Sequence, residues 1–230
     1  MNGQVRFDNA WGSATSPQQR NRVLRNTYWL LTLTLLPTVA GAWLGLATGI
    51  TRNLGGITGL LVFLGGMMAF QFAIYRLRNS AAGVAVLMAF TFFMGVMLSR
   101  LLGVVLGMSN GTTMVMSAFV STAGVFAVMA TLASVIKRDI SGMGRWLFAG
   151  MIAVLLAGVV GMFMGSSALM LAVTVLSTVI FSLYMLYDLK NIIDGGETNY
   201  IMATTSLYIS VFAVFQNLLS LFGIFGGNND

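Results

Sequence analysis

Ionisable side chains that could do chemistry are few in this sequence. The chain has six acidic residues and neither histidine nor cysteine. Ser-His-Asp catalysis, thiolate nucleophiles and zinc-protease sites are therefore excluded, and no cofactor or metal site is predicted. Asp8 and Asp230 lie in the terminal segments, and Asp139 follows two basic residues. The acids left as candidates are Asp188, Asp194 and Glu197.

Asp188 ends the hydrophobic run FSLYMLYD. At helical spacing it shares a stripe with Tyr184 and Ser177, which would face the interior of a helical bundle. A carboxylate at membrane depth is costly, so it indicates an ion- or proton-sensing role, for which Arg76 and Arg78 are candidate partners. The alternative is an interfacial residue, solvated or paired, that anchors its helix. The sequence leaves both interpretations open.

Polar residues also recur along the last apolar segment. Ser206, Ser210, Asn217 and Ser220 follow one another at spacings of 4, 7 and 3, which puts them on one helical face. Hydrogen bonds between helices are the ordinary account of such a stripe. The alternative is a hydrated route in which Ser210 and Asn217 join Asp188 as an ion- or proton-sensing set.

The elements that must position these residues are predicted to be membrane-spanning helices. The chain is 57% hydrophobic and 8% charged, whereas a soluble domain is roughly one quarter charged. Its apolar runs lack the period-two alternation of barrel strands. Glycines at four-residue spacing, as in Gly41, Gly45 and Gly49, predict close helix packing within one bundle. The fold class is thus all-α, a polytopic protein with spans at residues 27–50, 54–76, 82–106, 113–136, 146–165, 168–190 and 201–225.

The basic residues predict an orientation. The formal net charge is +6, and with a cytoplasmic N-terminus ten of the twelve Lys and Arg side chains lie at cytoplasmic helix ends. Only Arg52 and Arg100 lie toward the other side. We interpret the charge as an orientation signal rather than a nucleic-acid-binding surface, with the C-terminus outside. Asp194 and Glu197 then form an acidic cytoplasmic rim.

Three segments are predicted. Residues 1–26 form a flexible cytoplasmic arm, with helical structure near the membrane, and lack the apolar core of a cleavable signal peptide. Residues 27–226 form one transmembrane domain, and residues 227–230 form a short tail. The short connections leave no room for an extramembrane catalytic domain. An intramembrane aspartyl protease needs two facing acids, and only Asp188 approaches that description, so no enzyme is predicted.

Longer motifs carry a family resemblance. The segment from Val179 to Ile224, VIFSLYMLYDLKNIIDGGETNYIMATTSLYISVFAVFQNLLSLFGI, closely resembles the last two helices of the Bax inhibitor-1 (transmembrane Bax inhibitor motif) family. VLRNTYWLLTLTLLP in the first helix and GGETNYI before the seventh resemble its bacterial YccA branch. The resemblance covers nearly all of the chain past residue 22. It implies a bacterial inner-membrane bundle of six helices around a central seventh.

The resemblance implies two functions. Members of the YccA branch bind and restrain the membrane-embedded AAA protease FtsH and its prohibitin-like HflK and HflC partners, in membrane-protein quality control. Other members are pH-sensitive calcium leaks, in which an aspartate of helix six is hydrogen-bonded to one of helix seven.

This chain matches the helix-six aspartate with Asp188 but has Ser210 where the second is expected. A hydroxyl cannot share a proton as a second carboxylate would. Arg100, where relatives often have proline, would also oppose calcium passage if it faced a pore. We therefore predict a protease modulator, with a calcium or proton leak as the alternative.

Overall fold

A computed structural model describes residues 17–52 and 54–226, and these residues form seven α-helices with no β-strand. The helices are α1 (Pro17–Thr48), α2 (Gly56–Leu77), α3 (Ala81–Leu106), α4 (Gly111–Val135), α5 (Met143–Met164), α6 (Ser167–Ile193) and α7 (Tyr200–Gly226). Each is long and apolar enough to cross a bilayer. The predicted fold class, a polytopic all-α protein with seven spans, is confirmed.

Helix α1 begins well before the predicted first span. Residues 17–26, assigned from the sequence to the polar arm, continue the membrane helix as its first turns. Val23 is buried there in the hydrophobic core, and Arg20 Nη1 donates a hydrogen bond to the carbonyl oxygen of Ile193 at 3.3 Å. These tertiary contacts stabilise the polar first turns of α1 as helix. Hydropathy alone does not identify these turns. Residues 1–16 and 227–230 lie outside the described residues.

Helix α7 is the centre of the bundle, because it packs against α1, α2, α3, α4 and α6. It buries side chains around its circumference, among them Leu207, Tyr208, Ser210 and Leu219. The central position implied by the family resemblance is thus confirmed. Helix α5 is the exception in the surrounding ring, since it packs on α6 rather than on α7.

Glycines allow α1 and α3 to form the most extensive helix pair. A Cβ atom at Gly41 would overlap the carbonyl oxygen of Phe92, and one at Gly95 would overlap the carbonyl oxygen of Thr38. Neither neighbour is the flexible end of a side chain, so neither can move aside. Gly41 of the predicted glycine series therefore serves packing within the bundle.

Glycines also form the contact surface of α5 on α6. Going along α5, Gly144 faces Tyr187, Gly150 faces Ile180, Gly158 faces Val173 and Gly161 faces Met170. Helix α6 also packs against α4, whereas the consecutive helices α4 and α5 make no substantial contact with each other. Helices α4 and α5 are therefore connected through α6 rather than packed on each other.

The two ends of the bundle differ in charge. Because consecutive helices run in opposite directions, the starts of α1, α3, α5 and α7 share an end with the last turns of α2, α4 and α6. This end, called the basic end below, carries Arg20, Arg22, Arg25, Arg76, Arg78, Lys137, Arg138, Arg145 and Lys190. Among the described residues, Arg52 and Arg100 are the cations of the opposite end.

Candidate functional site

Asp188 and Ser210 meet where α6 packs against α7. The hydroxyl of Ser210 donates a hydrogen bond to Asp188 Oδ2 at 3.1 Å. Ser210 is buried and Asp188 is half-buried. The hydroxyl is a donor, so this contact favours the ionised carboxylate rather than a proton shared between two acids.

The surroundings of this hydrogen bond are apolar. Met185, about one helical turn before Asp188 on α6, and Leu189, the residue directly after it, are fully buried, as are Leu207 and Val214 on α7. These four side chains belong to one hydrophobic cluster that α1 and α4 complete. Asp188 is therefore held, half-buried, at a helix–helix contact with apolar neighbours in the basic half of the bundle.

Arg76 and Arg78, suggested from the sequence as partners of Asp188, lie elsewhere. The Arg76 guanidinium lies over the ring of Phe72 at 5.4 Å, and that of Arg78 over the ring of Tyr75 at 4.4 Å. Both contacts are cation–π interactions within α2 or its last turn. Helix α2 packs chiefly on α3 and makes no substantial contact with α6, which is why these cations do not reach Asp188.

Asn217 is also separate from the acid. It lies seven residues beyond Ser210, about 10 Å along the helix axis, and forms no hydrogen bond within residues 17–52 and 54–226. Between the two lies Val214, which is fully buried. Ser206, at the other end of the predicted polar stripe, is exposed. The structure thus brings Ser210, but not Asn217, to Asp188.

The acids of the predicted rim have separate partners. Lys190 is buried, and its ammonium group forms a 2.7 Å ion pair with half-exposed Asp194. A lysine in the last turn of α6 also complements the negative end of the helix dipole. Glu197 Oε1 accepts a hydrogen bond from the main-chain N–H of Asn199 at 2.7 Å. In the described part of the chain, no three acidic side chains come together as metal ligands.

Asn199 was not singled out from the sequence, although it connects three elements. Its Oδ1 accepts hydrogen bonds from the main-chain N–H groups of Ile201 and Met202, at 3.0 and 3.1 Å, which is an N-cap for α7. Its Nδ2 donates to the carbonyl oxygen of Arg78 and to Asn79 Oδ1, both at 2.9 Å. The sequence signal that could have identified this N-cap is an asparagine directly before an apolar run.

Tyr208 is a second residue that sequence reasoning missed. Its fully buried hydroxyl lies 2.8 Å from Thr38 Oγ1 of α1 and donates to the carbonyl oxygen of Thr91 of α3 at 3.4 Å. The ring also packs edge-on against Phe90. No sequence pattern identifies this contact, because its three helices are far apart along the chain.

Comparison with known proteins places this arrangement in a family. A family model described as "Inhibitor of apoptosis-promoting Bax1" matches residues 20–227. The chain belongs to the Bax inhibitor-1 family. The match spans all seven helices of this Bax inhibitor-1 protein, including the α6–α7 contact at Asp188.

Bacterial members of the Bax inhibitor-1 family are similar over nearly their whole length. The "Modulator of FtsH protease YccA" of Escherichia coli K12 is 37% identical over 91% of this chain and 93% of its own. An uncharacterized protein of Pseudomonas aeruginosa is 38% identical over 94% and 96%, respectively. An uncharacterized membrane protein of Vibrio cholerae is 35% identical over 92% and 93%.

Proposed function

We propose that this chain binds and restrains a membrane-embedded AAA protease of the FtsH type, together with HflK- and HflC-like proteins, in quality control of the bacterial inner membrane. The observation that carries the proposal is the near full-length similarity to the E. coli protein named as a modulator of FtsH protease. A modulator acts by binding, so we assign the chain no catalytic role of its own.

The form of the bundle supports this proposal. The connections between the seven helices are short, so the surfaces open to a partner protein are the lipid-facing helix faces and the two ends. Exposed apolar side chains such as Trp29, Leu36 and Trp43 on α1 offer the kind of surface on which a second membrane helix packs. A partner within the bilayer fits this surface.

We assign residues 1–16 as the segment that the protease engages. The chain from Pro17 onward is helical, and its first turns are fixed to the end of α6 through Arg20 and Val23. The preceding residues are polar and join the bundle at its basic end. With the N-terminus in the cytoplasm, as the positive-inside rule indicates, this end faces the cytoplasm and the C-terminus lies outside.

The test is deletion of residues 2–16 in a chain that keeps all of α1. In proteoliposomes containing the protease complex, the full-length protein should slow degradation of a membrane substrate and co-purify with the complex. The deletion variant should lose both effects, while Asp188→Asn keeps them, since Asp188 lies inside the bundle. Wild-type protein that neither slows degradation nor co-purifies would count against the proposal.

The second candidate function is a calcium or proton leak, favoured by the hydrogen bond between Ser210 and Asp188 in apolar surroundings. An acid inside a membrane bundle commonly marks an ion or proton route. In this assignment Asp188 is the acid inside the bundle, in the half toward the basic end, and Ser210 orients its carboxylate. Asn217 would line the route farther along α7.

A further inference from the structure

The connection between α4 and α5 forms a basic cavity. A cavity of about 380 Å³ opens there at the basic end of the bundle, lined by the α4–α5 connection and the first turn of α5. Arg138 and Arg145 contribute its cations, and Trp146 contributes an aromatic wall. The function proposed above does not use this cavity.

Both arginines of the cavity are available to a ligand. Arg138 and Arg145 are exposed, and neither guanidinium forms an ion pair or a hydrogen bond with any part of the chain that the structure describes. Lys137 adds a third exposed cation beside them. Two arginines that line one small cavity are suited to bind the oxygens of a phosphodiester, because each guanidinium group offers several N–H donors in one plane.

Asp139 is the acid of the cavity, and its carboxylate is already engaged. Its Oδ1 accepts a hydrogen bond from the main-chain N–H of Ser141 at 2.8 Å. This hydrogen bond, with a lesser contribution from the charge of Lys190, holds the pKa of Asp139 below its ordinary value. The acid therefore stays ionised and lowers the positive charge of the cavity, but two arginines and Lys137 outnumber it.

The surface next to the cavity identifies the source of the phosphodiester. Trp146 is 81% exposed, and tryptophan is enriched where a membrane protein meets the headgroup level of a bilayer. Farther along α5, Phe148, Leu156 and Phe163 are exposed, so hydrocarbon covers this helix in the membrane. The cavity adjoins this apolar surface at Trp146, which belongs to both. A free phosphate would use the arginines but not the apolar surface.

We propose that this site binds an anionic glycerophospholipid of the leaflet at the basic end, with Arg138 and Arg145 on the headgroup phosphodiester and an acyl chain along the exposed apolar face of α5. Trp146 lies beside the glycerol ester region. Its acyl chain would cover Phe148 and the exposed apolar side chains beyond it on α5. Basic cavities between membrane helices are a recurrent form of headgroup site.

The experiment measures lipid binding by native mass spectrometry of the detergent-purified full chain. The probes are phosphatidylglycerol and phosphatidylcholine with identical acyl chains. Wild-type protein should bind phosphatidylglycerol about tenfold more tightly, and the double variant Arg138→Gln/Arg145→Gln should lose that preference. Asp139→Asn should bind it more tightly than wild type, because one negative charge leaves the cavity.

The matched control is Arg22→Gln/Arg25→Gln, which removes two exposed arginines from the same end of the bundle on α1. This control should keep the preference for phosphatidylglycerol. An equal loss in both double variants would overturn the proposal, since it would indicate general charge attraction. Displacement of the lipid by millimolar inorganic phosphate would overturn it in favour of a free-anion site. Helical circular dichroism of each variant verifies that the bundle is intact.

Discussion

At the scale of single residues, the Ser210 hydroxyl beside Asp188 changes the electrostatics of the pair, compared with a second carboxylate at that position. Ser210 donates to the acid and has no charge of its own, so the pair does not repel itself when Asp188 is ionised. Two carboxylates at the same distance would hold one proton between them and would separate on losing it. The serine therefore removes the electrostatic reason for a pH-dependent opening of α6 from α7.

This difference predicts the outcome of a calcium-flux measurement in liposomes. Ser210→Asp should introduce a calcium flux that falls tenfold or more when the pH is lowered enough to protonate the new pair, because protonation restores the shared hydrogen bond. The wild-type chain should carry much less. Adding Asp188→Asn to Ser210→Asp should abolish the flux.

Wild-type flux that disappears in Asp188→Asn would instead establish the leak as the function of the chain. Equal flux in all variants and in empty liposomes would show that the α6–α7 contact does not gate ions at all.

Which of the site residues were predictable depends on where their partners lie. Asp188 and Ser210 were both named from the sequence, because each stands out as a polar group in an apolar run. The structure places Arg76 over Phe72 rather than beside Asp188, since a shared membrane side does not determine which helices are in contact. Tyr208 was missed because its partners, Thr38 and Thr91, are on helices remote in sequence.

At the scale of helices, small residues decide which pairs come closest. Gly95 of α3 is placed against the main chain of α1 at Thr38, whereas Gly124 of α4 has open space where a Cβ would stand. Both glycines lie inside helices, where alanine is the better helix former by about 1 kcal/mol. The same substitution therefore has opposite effects at the two positions.

We expect Gly95→Ala to lower the free energy of unfolding by about 2 kcal/mol or more, because α1 and α3 must separate to admit the methyl group. Gly124→Ala should leave stability unchanged or raise it slightly. Reversible unfolding of the two variants by denaturing detergent in mixed micelles measures this difference. Equal stability of the two variants would show that α1 and α3 can separate enough to admit the methyl group with no loss of unfolding free energy.

The positions of the spans were predictable, whereas their packing was not. Hydropathy locates α2 through α7 within a few residues, since each apolar run matches the thickness of a bilayer. It does not locate the start of α1, where Val23 and Arg20 are held by contacts to other helices. Nor does it indicate that α5 packs on α6 alone, because lipid and protein neighbours are equally apolar.

At the scale of the whole molecule, charge and orientation are linked. Nine basic side chains of the described residues lie at the basic end, and Arg52 and Arg100 lie at the other. Arg100 is a fixed part of that opposite end, since its Nη1 donates to the carbonyl oxygen of Leu54 at 3.1 Å. The charge difference predicts that the basic end faces the cytoplasm.

Cysteine labelling can measure this orientation directly, because the natural chain has no cysteine. We expect a membrane-impermeant maleimide to label Asn110→Cys, an exposed position between α3 and α4, in intact spheroplasts. Ser141→Cys, exposed between α4 and α5, should react only after the membrane is permeabilised. The reverse pattern would put the basic end, and with it the proposed lipid site, outside.

The central position of α7 also constrains how the protein is made. Helix α7 is the last of the seven in chain order, so the central helix is synthesised after the helices that surround it. Until then, the polar groups of Thr38 and Thr91 that approach Tyr208, and the Asp188 carboxylate, have no partner from α7. The first six helices therefore lack these contacts until α7 is inserted. Asn199, which caps α7 and donates to the carbonyl oxygen of Arg78, then links α7 to the α2–α3 turn.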